Sequence, residues 1–215
     1  MTGSMRAWSD SFADGSAIPD RYALARIADD PADHATLSDN INPHVGWADL
    51  PDGTRSVAVM VIDVSAPSSA EDVNKDDREV PADLPRADFS HWLVVDLDPA
   101  PGGIAEGSHS DGVVPGGKPG LRGPGGVRQG RNDYTSWFLG DPVMEGIYHG
   151  YDGPGPPWND ALAHRYVFTV YALDVQRLPL PEDFDAPTLR EALAGHVLAE
   201  ASFSGTYTTN PRLAG

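Results

Sequence analysis

Three polar residues sit where three apolar runs of the chain begin or end. Asp63 closes SVAVMVID (Ser56–Asp63), His91 opens HWLVVDL (His91–Leu97), and His164 immediately precedes RYVFTVYAL (Arg165–Leu173). A carboxylate beside two imidazoles has several chemistries open to it. The imidazoles can donate to a small anion as neutral tautomers or as imidazolium, and the carboxylate can fix a tautomer. The same three groups could exchange protons with a substrate as general acid and base. Two histidines and one carboxylate are also a possible ligand set for iron or zinc, although no H-E-x-x-H motif or close His pair accompanies them. Each residue has a purely structural reading too: an Asp at a strand end commonly forms a turn, and a His beside a Trp is commonly a hydrogen-bonded core residue.

The three runs have the length and β-branched character of strands buried on both faces. If the first runs antiparallel to the other two, its C-terminal end and their N-terminal ends share one sheet edge, and the three polar groups converge. Long polar loops separate the runs, with little helix between them. That pattern predicts a mostly β protein, a β-sandwich of stacked, largely antiparallel sheets with a few peripheral helices. One helix is expected near the C-terminus over Leu189–Ala199, where Thr188 and Glu191 have capping-box spacing and Leu189, Leu193 and Val197 follow at i+4.

Residues 1–37 are polar and acidic and read as an irregular or partly extended arm packed on or flanking the domain. Residues 38–215 then form a single domain, interrupted by a Gly- and Pro-rich connection over 98–163 that is long enough to suggest function or disorder. Within it, Gly116–Arg131 carries Lys118, Arg122, Arg128 and Arg131 without an acidic residue. This local reversal of charge could draw anions, pair with acidic surface elsewhere, or simply be solvated. The excursion that follows brings Trp137, Phe138 and Tyr148, as a lid, a dimer contact or a packed loop.

The chain has 215 residues, with 32 acidic and 15 basic side chains and a formal charge of -17. Such a field repels phosphate backbones and anionic lipid, which argues against nucleic-acid binding and against a broad membrane-binding face. There are no cysteines, so disulfides and thiol chemistry are excluded. No apolar run reaches the length of a spanning helix or a signal peptide, so no stable membrane insertion and a cytoplasmic location are the expectation. GVVPGGKP (Gly112–Pro119) satisfies G-x-x-x-x-G-K, but Pro119 and Gly120 follow where a phosphate loop needs a hydroxyl and a helix. No G-x-S-x-G elbow nominates a nucleophilic serine.

Six segments in order resemble the phosphatidylethanolamine-binding proteins, over roughly residues 38–208. VIDVSAP (Val61–Pro67) resembles that family's Asp-Pro-Asp-Ala-Pro signature, and HWLVVDL its His-aromatic-hydrophobic strand. YDGPGPPWNDALAHRYVFTVYALD (Tyr151–Asp174) is similar to its Gly-x-Gly/Cys-Pro-Pro and His-Arg-Tyr-Val-Phe stretch. INPHVGWADLPDGTRSVAV resembles the approach to the signature. VRQGRNDY (Val127–Tyr134) and LREALAGHVLAEASFSGTY are similar to elements of the bacterial, Raf-kinase-inhibitor-like branch. The resemblance implies a pocket at a sheet edge for phosphate-like headgroups. In it Asp63 and Pro67 match the signature, His91 and His164 the two pocket histidines, Gly155 and Pro156 a Gly-Pro wall, with Tyr166 close by. A homodimer is implied by the same branch. The chain departs from the signature at Val64 and Ser65, where Pro and a second Asp are expected, which weakens any preference for an ethanolamine ammonium.

The expected function is therefore non-catalytic binding of a small anionic or phosphorylated ligand, with no cofactor and no resident metal. Acid–base catalysis by Asp63, His91 and His164 is the first alternative. A protein-interaction or kinase-regulatory role for the 101–150 loop is the second.

Overall fold

The computed structural model describes residues 4–100 and 102–214. In chain order the strands before the central sheet are β1 (Arg6–Trp8), β2 (Ala25–Ile27), β3 (Ala35–Leu37) and β4 (Val45–Ala48). Two long strands follow, β5 (Ser56–Pro67) and β6 (Arg86–Leu97). The long connection holds β7 (Gly103–Ile104), β8 (Gly117–Lys118), β9 (Arg128–Gln129), a single helical turn α1 (Tyr134–Trp137) and β10 (Ile147–Tyr148). The chain then forms β11 (His164–Leu173), α2 (Ala186–Leu193) and β12 (Val197–Tyr207).

The five-stranded sheet runs β12-β11-β5-β6-β9, and every neighbouring pair is antiparallel. Successive side chains of a strand point to opposite faces, so a continuous apolar run must be covered twice. In β5, Val57, Val59 and Val61 enter one core with Trp92, Phe168 and Phe203. That core is closed by Val45, Trp47 and Ile104, which come from the second sheet, β1-β4-β7. Ala58, Met60 and Ile62 face the other way, onto Leu178, Phe184 and the Leu189 and Leu193 face of α2. The mostly β sandwich with few helices follows directly from this two-sided burial.

Residues 4–37 are woven into the body. β1 pairs with β4, and the backbone of Gly15 to Ile18 bonds along Ser204 and Thr206 of β12. Phe12, Ile18 and Tyr22 are buried in the sandwich core.

Three boundaries differ from the sequence expectation. β5 continues four residues past Asp63, and β6 starts five residues before His91. These extensions form a hairpin arm with mostly exposed or half-exposed side chains, so no apolar pattern marks them in the sequence. The helix spans Ala186–Leu193 rather than Leu189–Ala199. Its N-cap is Asp185, which accepts from the Thr188 backbone N–H at 3.0 Å and the Thr188 hydroxyl at 2.6 Å. Gly195, at φ 84°, then turns the chain out of the helix. Val197 to Ala199 continue the i+4 pattern but pair with β11 as strand.

The basic segment is ion-paired. Arg122 contacts Glu182, Arg128 contacts Asp96, Arg131 contacts Asp183, and Lys118 contacts Asp152.

Candidate functional site

Antiparallel pairing brings Tyr166 directly opposite Asp63. His164 lies two residues away on β11, so Asp63 and His164 meet at the sheet edge as the strand reading required. His91 arrives by a different device. Val61 pairs with Trp92 and Ile62 with Ser90, leaving His91 as the extra residue of a β-bulge. A bulge re-aims the side chain it displaces, and here it helps bring His91 to the same edge.

Asp63, Pro67, His91, Gly155, Pro156, His164 and Tyr166 all line one cavity of about 130 Å³. Its walls are largely apolar, with Phe89 and Val73 on one side and Trp137 at the rim, 44 % exposed. Phe138 and Tyr148 pack against Tyr134 and each other rather than on the cavity. Gly155 has a steric reason to be glycine: a Cβ there would stand 2.8 Å from the Tyr134 hydroxyl.

His164 is fully committed. Its Nδ1 lies 2.6 Å from Asp63 and its Nε2 3.0 Å from Asp160. Burial alone would push its pKa down, but the hydrogen bonds from Asp160 and Asp63 outweigh that and raise it to about 9. Asp160 is held in turn by both terminal nitrogens of Arg86, at 2.6 and 3.1 Å, and accepts from Leu162 N–H at 2.9 Å. Burial opposes its ionisation, yet the hydrogen bonds from His164 and Arg86 bring its pKa below the usual carboxylate value. The result is a carboxylate–imidazolium–carboxylate–guanidinium chain with near-zero net charge. Both N–H groups of His164 are taken by these two carboxylates.

His91 is held differently. Its Nδ1 lies 2.8 Å from the Asp152 carbonyl oxygen. Its ring meets Tyr134, Tyr166 and Phe89 at centroid distances of 5.1 to 5.4 Å. Desolvation dominates its titration and lowers its pKa, despite the nearby charges of Asp63, Asp133 and Asp152. Asp152 is itself buried and accepts from Asn40 at 2.8 Å and Asn132 at 2.8 Å, with Lys118 Nζ at 2.8 Å. Tyr166 lines the cavity, and its hydroxyl is buried and makes no hydrogen bond to any described residue.

Sequence reasoning missed Asp160, Arg86, Asp152, Lys118 and Asn40 as supports of the site. Asp160 had a weak signal, an acid four residues before a candidate His. Arg86 and Asn40 had none, since they reach the site from remote loops and strand ends. Ser65, where the signature would place a carboxylate, is structural: its N–H donates to Asp63 at 2.7 Å and its hydroxyl accepts from Arg165 N–H at 3.0 Å.

The family model described as phosphatidylethanolamine-binding protein matches residues 8–208. The chain belongs to that family. Among curated relatives it is similar to UPF0098 protein YbhB of Escherichia coli K12, 29% identical over 204 residues that span 95% of this chain and 100% of that one. A UPF0098 protein of Chlamydia muridarum is 31% identical over 205 residues, 94% of this chain and 98% of its own. Among solved structures, CT736 of Chlamydia trachomatis, described as a phosphatidylethanolamine-binding protein homolog, aligns with a TM-score of 0.63 at 26% identity, covering 95% of this chain and 97% of that one. Escherichia coli YbcL shares the fold, with a TM-score of 0.67 at 21% identity and 96% and 99% coverage. The chain is thus a family member of the bacterial type, and no helix among the described residues is long and apolar enough to cross a membrane.

Proposed function

We propose that the protein binds a small oxyanion or phosphorylated headgroup in the Asp63–His91–Tyr166 cavity and performs no chemistry on it. The observation that carries this reading is Tyr166, which lines the cavity and whose buried hydroxyl has no hydrogen-bond partner among the described residues. A buried hydroxyl left unpaired costs about 1–3 kcal/mol, which a ligand oxygen would recover. The cavity is sized for a headgroup rather than a whole lipid or peptide.

Acid–base catalysis by the three polar residues fits less well. His164 is clamped on both nitrogens, and a group that turns over protons must be free to release them. Titration calorimetry with inorganic phosphate tests the binding reading. Tyr166→Phe should weaken phosphate by about tenfold or more, since a hydrogen bond to a charged group is worth roughly 1.5–3 kcal/mol. Equal affinity in the two proteins would overturn it.

The homodimer implied by the bacterial branch is part of the same proposal. Leu139, Val143 and Ile147 are exposed and would give such a contact apolar area. Sedimentation showing a single 22.9 kDa species at all concentrations would refute it.

A further inference from the structure

The hydrogen-bond partners of His91 decide which of its nitrogens carries a proton. The Asp152 carbonyl oxygen has only lone pairs, so the Nδ1 atom 2.8 Å away must donate to it. A neutral imidazole has one N–H. Nε2 is then bare, and it makes no hydrogen bond to any described residue. The ring lines the cavity, so what it offers a ligand there is a lone pair.

A lone pair facing an oxyanion is repulsive, and the nearby cations are already committed to carboxylates. Among the described residues no Lys or Arg lines the cavity. Arg86, behind Asp160, is spent on that carboxylate and on the Ser65 and Pro81 carbonyls. Lys118, behind Asp152, is spent on that carboxylate and the Tyr151 carbonyl. His164 gives both N–H groups to Asp63 and Asp160. The charges that act most on His91 are the carboxylates Asp63 from β5, Asp133 before α1 and Asp152 from the connection to β11, the first held by the His164 imidazolium and the last by Lys118. Tyr134 and Tyr166 complete its surroundings; Tyr134 donates its hydroxyl to the Gly153 carbonyl at 2.8 Å. Tyr166 can give one hydrogen bond to an oxyanion but no charge.

We propose that the cavity takes up its oxyanion together with one proton, held between His91 Nε2 and the facing ligand oxygen, so that it prefers acids able to bring that proton over the anions of strong acids. The proposal rests on the oxyanion reading of the cavity and adds its specificity. A phosphate or phosphate ester carrying one P–OH can donate it directly to the bare nitrogen. Sulfate has no such proton near neutrality and binds only when His91 is protonated from solvent. The three carboxylates favour that imidazolium once a ligand oxygen is in place to accept from it, because the hydrogen bond then becomes charge-assisted.

The test is calorimetric titration of the full chain with sulfate and with inorganic phosphate, from about pH 5.5 to about pH 8.5, in buffers of different ionisation enthalpy. Sulfate should bind with uptake of close to one proton at the upper end, and its affinity should fall about tenfold per pH unit above the His91 titration. His91→Gln places a non-titrating N–H donor near the same point. In that variant sulfate binding should lose both its proton uptake and its pH slope. Sulfate bound by the wild type with no proton uptake and a flat pH profile would overturn the proposal while leaving the cavity an anion site. Failure of both anions to bind even at the acid end would overturn the oxyanion reading as well. If His91→Gln does not fold, the wild-type proton stoichiometry alone decides.

Discussion

Raising the pH should unfasten the His164 clamp, and the size of the effect can be worked out in advance. His164 sits between Asp63 and Asp160 with a pKa raised to about 9, against about 6.5 in an unfolded chain. A raised folded-state pKa means that the folded protein binds the proton more tightly. The stabilisation is therefore complete below about pH 6.5 and is lost as pH climbs through about 9. A shift of that size at about 1.4 kcal/mol per unit is worth about 3 kcal/mol, a large part of a typical domain's net stability. Urea unfolding at a series of pH values across this window should show the loss as a fall in midpoint at constant slope. Asp160→Asn removes one of the two negative charges and should flatten the profile over the same window, because the imidazolium then has only the Asp63 carboxylate to face. A wild-type profile that stays flat across the window, or an Asp160→Asn profile parallel to it, would refute the assignment of His164 as a doubly clamped cation.

Lys118→Met should destabilise the fold by about 3–5 kcal/mol, because it strips the cation from the buried Asp152 carboxylate, and chemical unfolding would measure it. Gly155→Ala should cost about 1–3 kcal/mol by driving a methyl group to within 2.8 Å of the Tyr134 hydroxyl, and it should also weaken phosphate binding; a thermal shift paired with calorimetry separates the two effects. Asp185→Ala should cost about 1 kcal/mol through the lost N-cap of α2 and leave phosphate affinity unchanged, read by urea unfolding and the same titration.

The sequence by itself determined the sandwich and the edge on which the pocket lies. SVAVMVID and HWLVVDL are nearly continuous apolar runs because both faces of β5 and β6 are covered there. In RYVFTVYAL the expected burial on both faces is not met: one face of β11 is buried and the other stays half-exposed. Asp63 and His164 were legible because polar residues at the ends of such runs stand out. Tertiary structure decided what those residues can do. A β-bulge that no periodicity announces helps bring His91 to the cavity. Asp63 and Asp160, the latter backed by Arg86, take both N–H groups of His164, and Asn40, Asn132 and Lys118 hold Asp152, whose carbonyl lies 2.8 Å from His91 Nδ1. These supports come from loops distant in sequence, and their hydrogen bonds form only when the chain is closed. Residue type thus pointed to the residues that line the cavity, while the partners assembled by folding decide the hydrogen bonds each of them makes.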